Sequence, residues 1–131
     1  MTSAHLKILA PPSLGPSLAP YSQGVVANGV VYLAGQVSLN AQGQVVAPGE
    51  IGPQTATTIQ RMRTLMEEAG GTLDDIVSAT VYLTDLSDFP GFNDAWSKEF
   101  GDHRPARATV RADLALPGLV VEIMAIAVLG A

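Results

Sequence analysis

The sequence has no cysteine. Disulfides, zinc–thiolate centres and thiol nucleophiles are therefore excluded, and a reducing compartment is compatible. Charge is scarce as well. Only 15% of residues are charged, against roughly 25% in average soluble domains. Basic residues are fewest: seven Lys and Arg stand against twelve Asp and Glu, for a net charge of −5. A polyanion binder needs a basic footprint, so nucleic acid is disfavoured as a partner. No apolar run approaches the ~20 residues of a membrane span. Met1 to Ala10 lacks the charged start and long apolar core of a signal peptide. The chain is read as soluble and cytoplasmic, with no membrane partner. No P-loop, dinucleotide fingerprint, nucleophile elbow or HExxH is present. His5 and His103 stand far apart and form no metal-ligand spacing. Neither a metal nor an organic cofactor is expected.

What remains is apolar: 47% of the 131 residues. The length predicts one domain over 1–131, with an extended, proline-rich segment over 1–18. An apolar chain with so little surface charge predicts a sizeable oligomer interface. His5 to Leu9 reads as a short edge strand. Ser22–Ala27 and Val30–Ala34 flank Asn28-Gly29, a strong hairpin signal. Gly35 after the second strand marks a bulge or a close backbone approach. Gln44–Val46 is a candidate short strand. Gly52–Ala69 reads as a helix, with Ile59, Met62, Leu65, Met66 and Ala69 on its buried face and Arg61, Arg63, Glu67 and Glu68 mostly opposite. Asp75–Asp85 reads as a strand with Val77, Ala79, Val81 and Leu83 on one face. A second helix begins near Pro90, capped by Ser87 or Asp88, and buries Phe89, Phe92, Trp96 and Phe100. The order ββαβαββ, closing in an antiparallel pair, predicts an α+β two-layer domain: a mixed sheet with both helices on one face. The other face needs cover, which further subunits supply.

Arg104 to Arg111 holds three of the seven basic residues. From Ala106 its alternation reads as a strand, with Arg107, Thr109 and Arg111 on one face and Ala108 and Val110 on the other. Leu119–Val128 is apolar except for Glu122. A charge in a core strand must be paired, protonated or chemically active. On neighbouring strands, Arg107 and Glu122 have two readings. One is a buried salt bridge that fixes strand register. The other is an anion site, with Arg107 gripping a carboxylate through two parallel hydrogen bonds and Glu122 as general acid/base. Burial raises the Glu122 pKa and a nearby arginine lowers it, so the net direction stays open. Tyr21, at a strand entrance, is either a half-buried surface tyrosine or a site hydroxyl. Thr109 offers a hydroxyl beside Arg107. Asn93 and Gln36 carry no signal of their own.

Pro20-Tyr21-Ser22-Gln23-Gly24, Leu33-Ala34-Gly35-Gln36-Val37, Arg104-Pro105-Ala106-Arg107 and Val121-Glu122-Ile123-Met124-Ala125-Ile126-Ala127-Val128 together resemble the reactive intermediate deaminase family, RidA/YjgF. Order and spacing match from about Ala19 to Val128. The resemblance implies a chorismate-mutase-like fold and a homotrimer with three clefts between subunits. It implies hydrolysis of 2-enamines and 2-imines, such as 2-aminoacrylate and 2-iminopropionate, to 2-keto acids and ammonia. Arg107 matches the arginine that grips the substrate carboxylate, and Glu122 the glutamate near the catalytic water. Tyr21 matches the cleft tyrosine, and Gly35 the glycine where ligand approaches backbone. Backbone groups near Ala108, Thr109 and Gly35 would orient the imine. One departure is Thr109, where family members often carry cysteine; it alters pocket size and polarity. Two rivals stand beside it: a non-enzymatic small-molecule-binding or chaperone-like trimer using the same cleft, and an endoribonuclease, a label often attached to this family.

Overall fold

The computed structural model describes residues 1–130. Eight main elements follow one another: β1 (Lys7–Leu9), β2 (Gly24–Ala27), β3 (Val30–Val37), α1 (Ile51–Ala69), β4 (Ile76–Leu83), α2 (Phe89–Phe100), β5 (Ala106–Arg111) and β6 (Val121–Val128). The β2–β3 hairpin turns through Asn28 (φ 51°) and Gly29 (φ 75°). Two successive positive φ values match the right-handed twist of the strands, and Asn-Gly is the pair that tolerates them. Val45 makes only an isolated bridge to Leu39. Helix α1 ends at Gly70, whose left-handed φ of 91° lets its N–H reach the carbonyls of Glu67 and Met66.

The strands form one mixed sheet in the order β1-β2-β3-β6-β4-β5. This corrects the expected closing pair. β6 does not lie beside β5; it lies between β3 and β4, antiparallel to both. β5 runs parallel to β4 and forms the sheet edge. The β6 position follows from its composition. Alternate residues Val121, Ile123, Ala125 and Ala127 are fully buried. So apolar a strand is more stable in mid-sheet, paired on both sides, than at an edge.

One sheet face packs against both helices. Val31, Leu33, Val81, Leu83 and Ile123 meet Ile59, Met62, Leu65 and Met66 of α1 and Phe92, Trp96 and Phe100 of α2 in one core cluster. The α2 aromatics are in mutual contact: Trp96 stacks on Phe100 with centroids 4.2 Å apart, and Phe92 is tilted against Trp96 at 5.7 Å. Phe89, expected in that stripe, stays exposed. Asp88 caps α2 without a side-chain bond, while Asp85 accepts from the Ser87 N–H one turn earlier. Val77 is also exposed, because the β4–β6 register shifts between Ile76 and Ser78 and turns it out of the core face.

The opposite sheet face carries no helix. Tyr32, Met124, Ile126, Val128 and Val110 are all exposed on it. Register places Tyr32 beside Ile126, Thr80 beside Met124, and Tyr82 between Glu122 and Val110. The chain thus presents a continuous apolar sheet surface. Among the described residues no helix is long and apolar enough to cross a membrane.

Candidate active site

Pairing parity fixes where each candidate side chain lies. Arg107 pairs with Ala79 and Thr109 with Val81, and both partners are buried on the helix face. Arg107 and Thr109 therefore face α2. Glu122 pairs with Tyr82 on one side and Val37 on the other, and alternates with the buried Val121 and Ile123. Its side chain lies on the open face. Arg107 and Glu122 are therefore on opposite sides of the sheet, with β4 between their strands. The register-fixing salt bridge within the chain is excluded. Among the described residues the one salt bridge is Arg63–Glu99, at 3.5 Å.

Arg107 is held by α2 instead. Its Nη2 donates to Asn93 Oδ1 at 2.7 Å. Its guanidinium carbon lies 5.0 Å from the Trp96 ring centroid, 5.1 Å from Phe92 and 5.9 Å from Phe89. Such contacts favour a planar guanidinium over an ammonium. Burial lowers the Arg107 pKa from its ordinary value, though an arginine this basic stays charged. Arg107 borders a groove shared with Asn93, Trp96, Ser97, Arg104 and Pro105. The groove carries two guanidiniums and no carboxylate, a setting for an anion. β5 is the sheet edge, so alternate backbone groups along Ala108 and Thr109 are not used by β4.

Glu122 belongs to a second group. The β3–β6 ladder breaks between Leu33 and Gln36, placing Ala34 and Gly35 in a bulge. A Cβ on Gly35 would lie 2.8 Å from Glu122 Cδ and 3.0 Å from Cγ. Only glycine leaves room for the carboxylate there. Burial raises the Glu122 pKa above its ordinary value. With no arginine beside it, desolvation alone sets that direction. Gly35 also borders a crevice with Tyr21, Gln23, Gln36 and Arg61. Tyr21 itself is half exposed at the crevice mouth.

The candidate residues thus fall into two half-sites. One is Arg107 with Asn93 and the β5 edge at Ala108 and Thr109. The other is Glu122 against Gly35, with Tyr21 at the mouth of the crevice that Gly35 borders. The family model described as Endoribonuclease L-PSP matches residues 13–129. A RutC family protein of Pyrococcus abyssi is 36% identical over 110 residues, 84% of this chain and 87% of that protein. RidA from the Antarctic bacterium Psychrobacter sp. PAMC 21119 superposes with a TM-score of 0.87 at 29% identity, over 94% of this chain and 99% of that one. E. coli TdcF, crystallised with bound serine, gives 0.86 at 29% identity, over 95% and 99%. This chain belongs to the RidA/YjgF family. The two-layer fold expected from that resemblance is the one observed.

Two residues in this RidA/YjgF chain escaped the sequence reading. Asn93 is the protein partner of Arg107, and its signal was its place on α2 one residue after Phe92. Arg61, assigned mostly to the solvent side of α1, is instead 6% exposed. Its correction has a clear cause: residues 14 and 38–40 fold over that flank of α1 and accept its hydrogen bonds. Gln54, Thr55 and Thr58 on the same flank are also buried. A polar flank covered by loops looks, in sequence, like a solvent face.

Proposed function

We propose that the protein is a 2-enamine/2-imine deaminase that works as a homotrimer, releasing a 2-keto acid and ammonia at sites between subunits. The observation that carries this reading is the division of the candidate residues into two half-sites on opposite faces of one sheet. Neither half is sufficient: the Arg107 groove has charge for a carboxylate but no acid/base, and on the Glu122 side Arg61 is buried and already bonded to neutral acceptors. Apposing the β5 edge of one subunit with the open face of another supplies both, and covers the apolar surface around Tyr32, Met124 and Ile126. The serine bound by TdcF shares with a 2-imino acid a carboxylate and a nitrogen on the adjacent carbon, and so favours this ligand class.

In the reaction, Arg107 binds the substrate carboxylate, with Asn93 fixing the plane of the guanidinium. Backbone groups at Ala108, Thr109 and Gly35 orient the imine. Glu122 takes a proton from water as the water oxygen bonds to the imine carbon, and passes that proton to the imine nitrogen to give the carbinolamine. Glu122 then takes the carbinolamine hydroxyl proton and delivers it to the amino nitrogen as the C–N bond breaks and the carbonyl forms, leaving keto acid and ammonia. Its raised pKa suits this exchange. Tyr21 closes the cleft and offers a hydroxyl.

The test couples an amino acid oxidase to the protein across many amino acids. Imine loss faster than in a buffer control supports the enzyme. Ligand binding without faster loss supports the non-enzymatic trimer. Light scattering should give three times the 13.6 kDa chain mass; a monomer removes the composite site.

A further inference from the structure

Arg61 is a buried cation, and no carboxylate among the described residues pairs with it. Removing such a charge from water costs several kcal/mol of order when it is not paired. What it has instead are three neutral acceptors, one at Leu14 and two on the stretch from Gln36 to Leu39. Nε donates to Gln36 Oε1 at 3.2 Å, and Nη1 reaches the carbonyls of Leu39 at 3.1 Å and Leu14 at 3.5 Å. Gln36 continues the network: its Nε2 donates to Gln23 Oε1 at 2.9 Å and to the Ala34 carbonyl at 3.2 Å. Gln23 and Gln36 are themselves buried. Through Gln36 this network leads to the second half-site. Gln23 is two residues from Tyr21, and Ala34 and Gln36 flank Gly35. Arg61, Tyr21 and Gly35 border one crevice. Burial lowers the Arg61 pKa.

We propose that Arg61 is the positioning residue of the Glu122 half-site: its guanidinium, through Gln36 and Gln23, fixes the Gly35 bulge and the Tyr21 side chain against each other. This rests on the deaminase reading for its consequence in turnover, but not for the geometry it predicts. The planar fork is what the task requires. One rigid group spans three acceptors in different directions, which an ammonium or an amide at the same position does not do. Arg61 touches no reacting atom. It acts by holding Gly35 where the Glu122 carboxylate can lie over it, and Tyr21 at the crevice mouth.

Two measurements test this. The first is independent of activity. With 3-fluorotyrosine the three tyrosines give separate fluorine resonances, and Tyr21→Phe identifies one. Arg61→Met should shift and broaden the Tyr21 signal while those of Tyr32 and Tyr82 stay in place. The second is a double-mutant cycle on imine turnover. Tyr21→Phe should lower kcat/KM by about tenfold in the wild-type background and by less than about twofold beside Arg61→Met, as for residues sharing one network. Loss should appear in kcat, with keto-acid affinity held by Arg107. Arg61→Lys keeps charge and stem; it should give the same pattern in weaker form, and carries both measurements if Arg61→Met is insoluble. An unmoved Tyr21 signal with additive effects in the cycle overturns the proposal. A moved Tyr21 signal in a protein without imine turnover upholds the positioning and refutes the deaminase reading instead.

Discussion

The proposed joining of two half-sites from separate subunits makes a prediction that a site within one chain does not. Arg107→Ala removes the guanidinium that donates to Asn93 at 2.7 Å and lies about 5 Å from the Phe92 and Trp96 rings. Losing a buried charged partner of a carboxylate costs on the order of 2–5 kcal/mol, or about 30-fold to several thousandfold in kcat/KM. Glu122→Gln keeps the shape beside Gly35 but removes proton transfer, so turnover falls while keto-acid binding largely survives. Each variant alone is then nearly inactive, at every one of its three sites. Unfold and refold the two together in equal amounts, and three-quarters or so of the trimers are mixed if assembly is random. Around the ring of a mixed trimer, one interface joins an intact Arg107 to an intact Glu122, and one joins the two defects. About a third of the sites in such trimers is therefore restored, and the mixture should recover roughly a quarter of wild-type activity. The oxidase-coupled imine assay reads this directly, with each variant refolded alone as control. Recovery no greater than the mean of the two controls, with trimers confirmed as mixed by mass, would refute the division of the site between subunits. Calorimetry with pyruvate separates the roles: binding should be lost in Arg107→Ala and not recovered in Arg107→Lys, because an ammonium lacks the fork.

Three further outcomes follow from the same geometry. Burial raises the folded Glu122 pKa above its unfolded value, so between the two values the unfolded chain holds fewer protons. Stability should fall as pH rises through that window and level off above it; chemical denaturation of Glu122→Gln against wild type should show the slope removed, and a persistent slope assigns it elsewhere. Gly35→Ala places a methyl against Glu122 Cδ and should lower turnover by about tenfold or more, since displacing a reacting group by about 1 Å costs up to a hundredfold; unchanged kinetics would mean the carboxylate has another resting place. RNA cleavage should be negligible in metal-free, nuclease-clean preparations, given the net charge of −5; robust cleavage lost in both Arg107→Ala and Glu122→Gln would favour the endoribonuclease.

Local features of this protein were legible in its sequence. The Asn28-Gly29 turn, the α1 stop at Gly70 and the Phe92–Trp96–Phe100 stripe each depend on residues within a few positions of one another. Backbone sterics and helical periodicity act at that range. The parity of β5 was legible for the same reason: Arg107 and Thr109 do share a face. Which face that is, relative to Glu122, was not. It depends on β6 entering between β3 and β4, a choice made by the burial of Val121, Ile123, Ala125 and Ala127 on the helix face of a strand whose partners are far away in sequence. Consecutive strands were expected to pair, and here β4 came between them. Arg61 failed in a similar way. Periodicity says which side of α1 meets the sheet, but only the path of residues 14 and 38–40 decides that its other flank is covered. The identities of the candidate site residues were thus set by the sequence, through the family motifs. Their division into two halves was decided by the tertiary structure, because a sheet has two faces and Arg107 and Glu122 pair with Ala79 and Tyr82, an odd number of residues apart on β4.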